Sequence, residues 1–366
     1  MEIKAALVHE AGGDIRLENV KIEEPKANEV LIKMVGTGIC HTDLGVQAQD
    51  IQTPLPIALG HEGAGIVEKV GPGVVNVEPG DHVVISFSYC NNCKNCLEGH
   101  PAACEKFGQL NFGGAHLEGT TRLSNEGDEV ATLFGQSSLA TYAIAHTNNI
   151  VKVDKDVDLR LLGPLACGIQ TGAGTVLKKL KPGFGESIVI FGCGGVGLSG
   201  VMAAKLTGAK NIIAVDIIPE RLELAKELGA THTINGKEVD TVEEVHKITG
   251  GGSDYVLEAT GVPALIKQGI RSLRARGVMA VVGVGPDTTL NIHDELIPPN
   301  RTIIGVVEGD SIPKLFIPEL IEYYKAGKFP FDKLIKLYPF EQLDQAIEDM
   351  NAGKTIKPIV TFSENK

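Results

Sequence analysis

The sequence SIVIFGCGGVG, residues 187–197, decides the fold of this chain. Its first five residues, Ser187–Phe191, form an apolar run that is typical of a buried strand, and a helix is predicted from Leu198 to Thr207. The turn between them matches the pattern G-x-G-x-x-G and consists of Gly192, Cys193, Gly194, Gly195, Val196 and Gly197. The pattern alone is weak evidence, but a strand before it and a helix after it are the context that gives it meaning.

In that context the turn is predicted to bind the pyrophosphate of a dinucleotide at the helix N-terminus. Asp216 ends the next predicted strand, Asn211–Val215, at the distance where a carboxylate holds the adenosine ribose hydroxyls. A carboxylate there repels a 2′-phosphate, and Ile217 and Ile218 follow it instead of arginines, so NAD is favoured over NADP. We expect Cys193 to serve packing.

Strands and helices alternate through the rest of this region, which predicts a doubly wound parallel sheet of the α/β class. The further strands are predicted at Tyr255–Ala259, Val278–Val284 and Thr302–Val307, and the further helices at Pro219–Leu228 and Pro263–Leu273. After residue 308 we expect helices at Ile312–Ala326 and Phe340–Ala352 and a last strand at Lys357–Phe362, a tail that folds back on the first domain.

Residues 1–150 are predicted to be all-β, because short apolar runs recur between clusters of glycine and proline. The runs are Lys4–His9, Val30–Thr37, Gly65–Val70 and His82–Phe87.

Length and charge restrict the class of protein. The 366 residues predict two domains, and the formal net charge of −12 argues against nucleic acid and anionic membranes as partners. The low-charge run Ser187–Ala204 is too rich in glycine for a membrane helix. Met1–Val8 is predicted to be a strand and not a secretory signal, so we expect a cytoplasmic protein whose thiols stay reduced.

Four of the seven cysteines lie close together in the pattern C-x2-C-x2-C-x7-C, formed by Cys90, Cys93, Cys96 and Cys104. Four thiolates on a short loop surround one Zn²⁺ tetrahedrally, and because no coordination position stays open, such a site is structural. The alternative is a group of reduced loop cysteines without metal, which would be an oxidation liability in the cytoplasm.

A second zinc site is indicated by Gly60-His61-Glu62-Gly63-Ala64-Gly65, where a histidine and a carboxylate lie among glycines. With Cys40 and Cys167, His61 would form a Cys₂His set, and an open fourth position binds an alcohol oxygen and lowers its pKa. Asp43 is the natural acceptor for the second N–H of His61, and the Thr42 hydroxyl is placed to take the alcohol proton. The alternatives are a solvated His-Glu pair, buried apolar cysteines, and caps or turns at Thr42 and Asp43.

With these motifs in place the whole chain resembles the zinc-dependent medium-chain alcohol dehydrogenases. The pattern Gly60-His61-Glu62-x2-Gly65-x5-Gly71-x2-Val74, the four-cysteine loop and the dinucleotide motif carry this resemblance. Within the family the chain is most similar to the bacterial aryl-alcohol (benzyl-alcohol) dehydrogenases, on the stretches Phe134–Ser138, Gly163–Gly172, Val307–Ser311 and Gly327–Phe331.

The resemblance implies a GroES-like catalytic domain at residues 1–165 with a structural-zinc lobe at 88–106, a Rossmann NAD-binding domain at 166–307, and a return to the catalytic domain at 308–366. It implies two zinc ions per subunit, the catalytic one on Cys40, His61 and Cys167, with Glu62 as a nearby or alternate ligand.

It also implies that His41 lies near the cofactor pyrophosphate and that Thr171 and Val196 support the nicotinamide. Lys357 falls where relatives often carry an arginine that binds the pyrophosphate, and a plain surface lysine is the alternative. Many relatives end their proton relay on a histidine at the position of Gly45, so a relay here would not end on a histidine at that position.

The predicted function is reversible oxidation of a primary alcohol, aromatic or allylic, to its aldehyde with NAD, in a homodimer or homotetramer that binds only small molecules. Zinc polarises the substrate oxygen, Thr42 takes the proton, and hydride passes to the nicotinamide. The alternatives are an S-hydroxymethylglutathione (formaldehyde) dehydrogenase, a polyol dehydrogenase, or a catalytically silent nucleotide-binding member of the family.

Overall fold

A computed structural model describes residues 1–362, and the chain divides into two compact units. The first unit contains Met1–Cys167, Ile312–Glu319 and the described chain from Asp332 onward, and the second contains Gly168–Ser311 and Leu320–Phe331. The predicted division assigned everything after residue 307 to the first domain. In the structure residues 308–311 and Leu320–Phe331 belong to the second unit instead.

The first unit holds a closed barrel and a mixed sheet. The barrel strands, in spatial order, are Glu2–Val8, Arg16–Ile22, Leu123–Asn125, Asp128–Thr132 and Ile57–Ala58. The sheet runs in the order Ile150–Val153, His82–Ile85, Glu62–Val70, Glu29–Gly38, Lys357–Thr361 and Ile335–Pro339, and Tyr142–His146 also pairs with Glu29–Gly38.

The predicted return of the C-terminal strand is therefore real, because Lys357–Thr361 lies antiparallel to Glu29–Gly38 in this sheet. The first region is not purely β. Its helices are His41–Ala48, Lys94–Leu97 and Phe107–Phe112, and Leu343–Asn351 belongs to the same unit.

The second unit is built on a six-stranded parallel sheet. Its spatial order is His232–Asn235, Asn211–Asp216, Ser187–Phe191, Ser253–Glu258, Leu273–Val281 and Thr302–Gly305, the 3-2-1-4-5-6 order of dinucleotide-binding sheets. Its helices are Gly168–Gly174, Thr175–Leu180, Gly195–Thr207, Pro219–Leu228, Thr241–Thr249, Pro263–Ser272 and Ile292–Leu296, and Pro313–Lys325 contributes residues to both units.

The central strands of this sheet are buried on both faces, as crossover helices require. All five residues of Ser187–Phe191 are buried, and its neighbours supply Ile213, Val256 and Met279 to one apolar core. Within residues 1–362 we find no helix with the length and hydrophobicity that a membrane crossing demands.

Candidate active site and metal centres

Four potential metal ligands converge in the first unit: Cys40, His61, Glu62 and Cys167. One donor atom from each lies within 4.8 Å of the others. Cys40 precedes the helix His41–Ala48, and His61 precedes the strand that begins at Glu62, so two of the ligands sit at the ends of regular elements. The structure thus brings together the three residues predicted to hold the catalytic zinc and the carboxylate predicted to lie beside them.

Asp43 forms hydrogen bonds that hold two of the potential metal ligands, Cys40 and His61. Its Oδ2 accepts the backbone N–H of Cys40 at 3.1 Å, while its Oδ1 accepts that of Gly60 at 2.9 Å and lies 3.1 Å from Nδ1 of His61. Asp43 is only 1% exposed, so these are buried contacts. A carboxylate on Nδ1 leaves Nε2 as the ligand atom, the arrangement of histidines that bind metals.

Nε2 of His61 is buried and has no hydrogen-bond partner among the described residues. A buried polar atom without a partner is costly, and here it lies among two thiols and a carboxylate, the donor set that zinc prefers. The residues present therefore fit a zinc ion.

The electrostatics of the cluster agree with this fit. A hydrogen bond with Cys167 lowers the pKa of the Cys40 thiol well below its usual value, against the effect of burial. Burial by itself would lower the pKa of His61, but the Asp43 carboxylate raises it well above the usual value. The cluster thus stabilises thiolate and a positive charge on the imidazole, and a cation on Nε2 would take the place of the proton.

Lys357 lies in this cluster, whereas the sequence predicted either a pyrophosphate-binding residue or a surface lysine. Its Nζ is 2.8 and 2.9 Å from the two carboxylate oxygens of Glu62 and 3.2 Å from the carbonyl oxygen of Ile39. The residue is buried at 5% exposure, so it is not a surface lysine, and an ammonium committed to Glu62 is not free for the pyrophosphate. Burial raises the pKa of Glu62 to about 7, although Lys357 acts to lower it.

The four cysteines of residues 90–104 also converge, as predicted, with all four sulfur atoms within 4.8 Å of one another. The Sγ atoms of Cys90 and Cys96 are 4.0 Å apart, as are those of Cys93 and Cys104. The edge of a tetrahedron with Zn–S bonds of about 2.3 Å is about 3.8 Å. Backbone N–H groups point at the sulfurs, and that of Glu105 is the main reason that the pKa of Cys93 falls to about 6. This site fits zinc with no open position.

The helix His41–Ala48 carries the other predicted groups of this region. Thr42, in its first turn, has its hydroxyl oxygen 3.8 Å from the sulfur of Cys40 and is partly buried. His41 is exposed. Thr42 and Asp43 lie within the helix and are not turn residues, but the alternative of a helix cap holds for Asp43, whose Oδ2 accepts the N–H of Cys40 at the helix start.

The predicted dinucleotide turn has the expected local structure. The helix starts at Gly195, slightly earlier than predicted, with Gly194 as its N-cap, and Gly192 has φ of +90°. A Cβ atom at Gly197 would lie 1.7 Å from the carbonyl oxygen of Gly192, so only glycine permits this approach of helix to strand. The side chain of Cys193 is fully buried, in keeping with packing.

Asp216 ends its strand beside this turn. Its Oδ2 accepts the backbone N–H of Cys193 at 2.6 Å, and its Oδ1 accepts those of Ile217 and Ile218 at 2.7 and 3.0 Å. Three bonds hold the carboxylate in one orientation at the carboxyl ends of the strands, where dinucleotides bind.

The segment with Thr171 packs on the same turn, since a Cβ atom at Gly172 would lie 1.9 Å from the Val196 carbonyl oxygen. The structure thus gathers Thr171, Val196 and the glycines of the turn within the second unit.

Sequence reasoning missed the neighbours of His61. Phe134 lies with its ring 4.7 Å from the imidazole, and the ring of Phe112 is 5.2 Å from that of Phe134. The side chain of Gln136 reaches the backbone of His61. The only sequence signal was that Phe134 and Gln136 lie in one of the stretches that carry the aryl-alcohol dehydrogenase resemblance.

Comparisons with known proteins agree with this site. Residues 26–155 match the alcohol dehydrogenase GroES-like domain, and residues 195–323 match the zinc-binding dehydrogenase family. The geraniol dehydrogenase of Castellaniella defragrans is 43% identical over 98% of this chain and 97% of its own.

Two solved structures are 49% identical to this chain. The benzyl alcohol dehydrogenase of Acinetobacter calcoaceticus has a TM-score of 0.95 over 99% of this chain and 100% of its own. An alcohol dehydrogenase zinc-binding domain protein from Burkholderia ambifaria has a TM-score of 0.96 over 100% of both chains.

A GroES-like unit with a Cys₂His cluster and a Rossmann unit together define a zinc-dependent dehydrogenase. The chain belongs to the zinc-dependent medium-chain alcohol dehydrogenases and is an alcohol dehydrogenase.

Proposed function

We propose that this enzyme oxidises primary aromatic or allylic alcohols to their aldehydes, reversibly, with NAD as the hydride acceptor. The observation that carries the proposal is the buried cluster of Cys40, His61 and Cys167, in which Nε2 of His61 has no hydrogen-bond partner among the described residues. This is the ligand set of the alcohol dehydrogenases, whose fourth position is open to substrate.

In this proposal Cys40, His61 and Cys167 hold a catalytic zinc, and Cys90, Cys93, Cys96 and Cys104 hold a structural one, two ions per chain. When bound, the catalytic zinc supplies a Lewis acid that lowers the pKa of an alcohol hydroxyl. The Asp43 carboxylate fixes the orientation of the His61 ring through Nδ1.

The Thr42 hydroxyl accepts the alcohol proton. Its position, 3.8 Å from the Cys40 sulfur, puts it beside the metal ligands. Gly45 supplies no side chain to carry the proton further, so the next acceptor is water or a hydroxyl of the cofactor ribose. The expected consequence is a proton release that does not depend on a histidine at position 45.

NAD binds on the turn Gly192–Gly197 with its pyrophosphate at the helix N-terminus and accepts the hydride. Asp216 holds the adenosine ribose and selects against a 2′-phosphate. His41 contacts the pyrophosphate, and Thr171 and Val196 support the nicotinamide. The rigid orientation of the Asp216 carboxylate supports this assignment.

The substrate class is supported by chemistry that two relatives share. Benzyl alcohol and geraniol, after which those two relatives are named, both carry the hydroxyl on a carbon next to an unsaturated one. Loss of hydride from such a carbon is eased by the adjacent π-system. The aromatic side chains of Phe134, which lies beside His61, and of Phe112, which packs on Phe134, would suit a flat, unsaturated substrate.

The test is an assay of NAD reduction with matched pairs of alcohols. Benzyl alcohol is compared with cyclohexylmethanol, and geraniol with citronellol, because each pair differs in the unsaturation next to the carbinol carbon. We expect kcat/KM to be higher for the unsaturated member of each pair and higher with NAD than with NADP. Equal values within both pairs would contradict the substrate class.

The zinc assignment is tested separately with Cys40→Ser. Loss of activity together with loss of one zinc per chain is expected, whereas wild-type turnover in this variant would refute it. Formaldehyde with glutathione and a set of polyols serve as further substrates, and a preference for either would assign the enzyme to another branch of the family.

A further inference from the structure

One buried glutamine connects the backbone segments that carry the metal ligands. Gln136 is 2% exposed, and its Nε2 lies 3.1 Å from the carbonyl oxygens of His61 and Ile85 and 3.2 Å from that of Ser86. Its Oε1 accepts the backbone N–H of Gly63 at 3.3 Å. The amide is therefore bonded to the backbone on both sides of Glu62, at the His61 carbonyl and the Gly63 N–H, and to the end of the strand His82–Ile85.

A second bond extends this connection to the other side of the cluster. The hydroxyl of Ser86, which is fully buried, donates to the carbonyl oxygen of Ala166 at 2.8 Å. Ala166 directly precedes Cys167. A chain of buried hydrogen bonds thus runs from the backbone of His61 through Gln136 and Ser86 to the backbone next to Cys167.

The backbone that presents Gln136 is strained. Phe134 and Ser137, neither of them glycine, have φ of +52° and +51°, in the left-handed region that costs energy for such residues. The surrounding contacts maintain this conformation. The Ser137 hydroxyl donates to the carbonyl oxygen of Ala58 at 2.6 Å, and the N–H of Ser138 donates to that of Gly60 at 3.0 Å.

The packing is equally close, since a Cβ atom at Gly63 would lie 2.6 Å from Cβ of Ser138. Strain of this kind persists only where surrounding contacts fix it, and it collects at functional sites.

We propose that Gln136 and Ser86 are positioning residues for the catalytic metal site. They set the distance between the His61 and Cys167 ligands through the backbone and touch neither the substrate nor the metal. The proposal rests on the proposed function, because it needs a metal on Cys40, His61 and Cys167. A site with two of its ligands fixed in this way loses less conformational entropy when the metal binds, so it should retain the metal longer.

The test uses Gln136→Met, which keeps the length of the side chain but makes no hydrogen bonds. The matched control is Asn111→Leu, because Asn111 is also fully buried in the first unit and its amide also bonds only to backbone, that of Ser88 and Phe107. None of those bonds reaches the His61 or Cys167 segments. Both variants lose buried amide bonds, so both should lose thermal stability.

Two readouts besides activity report on the site itself. One is the rate at which zinc passes to a chelator under native conditions. The other is the visible spectrum of the enzyme loaded with Co²⁺, whose thiolate bands depend on ligand geometry. We expect Gln136→Met to release the catalytic zinc about tenfold faster and to shift the cobalt bands that depend on Cys40. The amide of Asn111 joins the two ends of the structural-zinc lobe, so Asn111→Leu should leave the release of the catalytic zinc and the Cys40-dependent bands unchanged.

Ser86 provides a second, milder pair if Gln136→Met does not fold. Ser86→Ala removes the bond to Ala166 and should change both readouts in the same direction, and Ser86→Thr, which keeps the hydroxyl, should restore them. Unchanged zinc release and spectrum in these variants would overturn the inference, as would equal changes in Asn111→Leu.

Failure of the proposed function looks different. In that case the cobalt–thiolate bands of wild type and of Cys40→Ser would be the same, and the positioning role would be refuted together with the zinc assignment. If wild type shows those bands and the Gln136 and Ser86 variants behave like wild type, the zinc site stands and the positioning role alone is refuted.

Discussion

Replacement of Lys357 by methionine tests how much the buried pair with Glu62 contributes to the first unit. The side chains of Lys357 and Glu62 are 6% and 0% exposed, and the ammonium contacts both carboxylate oxygens. Removal of one partner of such a pair costs about 3–5 kcal/mol, because the other is left buried without compensation. For a unit of this size each kcal/mol corresponds to about 2–4 °C in Tm. We therefore expect a fall in Tm of about 6 °C or more.

We expect a loss near the lower end, about 3 kcal/mol, because the Glu62 carboxyl group can take up a proton. Burial already raises the pKa of Glu62 to about 7 with Lys357 present, and the loss of Lys357 raises it further. A carboxyl whose pKa is raised by folding stabilises the fold at low pH and loses that contribution as the pH rises through the raised pKa. Lys357→Met should therefore lose more stability, relative to wild type, as the pH rises from about 5 to about 8.

Thermal unfolding with excess zinc, for wild type, Lys357→Met, Glu62→Gln and the double variant, measures both effects. The double variant buries no unpaired charge, so its Tm should fall by less than the sum of the two single changes, and its Tm relative to wild type should depend less on pH. Additive shifts, or a Lys357→Met penalty that is flat with pH, would refute the reasoning. The Co²⁺ spectrum of Lys357→Met shows in addition whether a released Glu62 moves onto the metal.

Three further predictions address other parts of the chain. Burial lowers the pKa of His116 to about 4, so acidification below its usual value of 6.5 should lower the free energy of unfolding of the wild type by up to about 3 kcal/mol. His116→Gln should reduce this loss when Tm is measured as a function of pH, whereas the control His232→Gln, at an exposed histidine, should not. Cys104→Ser should lower the zinc content by one ion per chain and lower Tm while the cobalt spectrum of the Cys40 site persists; an unchanged zinc content would contradict the structural site. Asp216→Ala should reduce the preference for NAD over NADP by about tenfold or more in kcat/KM, because hydrogen bonds to a charged group contribute about 1.5–3 kcal/mol, and an unchanged preference would remove Asp216 from this role.

The parts of the fold that sequence predicted are those whose signals are local. The strand, glycine turn and helix around Gly192–Gly197 occupy consecutive residues, and the order of hydrophobic runs after it determines a parallel sheet almost by itself. The four-cysteine loop is local in the same sense. Such patterns contain both the element and its function within about thirty residues.

The helix His41–Ala48 was not predicted, although one signal for it was present. Asp43 stands three residues after Cys40, the spacing at which an acidic side chain caps the start of a helix, and its Oδ2 does accept the Cys40 N–H. Gly45 in the middle weakens the helical pattern. Since the other oxygen of Asp43 serves His61 and Gly60, the capping residue and the partner of the metal ligand are the same side chain.

The partnership of Glu62 with Lys357 had no local signal, because 295 positions separate the two residues. It arises from the register of three strands. Gly38 pairs with Glu62 on one side and with Ile359 on the other, so the central strand brings the start of the last strand next to the metal cluster. A Cβ atom at Gly38 would lie 2.0 Å from Oε2 of Glu62, so only glycine leaves room for the carboxylate there.

In the sequence, Lys357 stands where relatives often carry an arginine, and Gly38 follows the predicted run Val30–Thr37 with no role assigned to it. Only the paired strands show that the glycine makes space for a buried acid and that the lysine neutralises it. It follows that Gly38→Ala and Lys357→Met should act on the same group: the first displaces the Glu62 carboxylate, and the second leaves it without its cation.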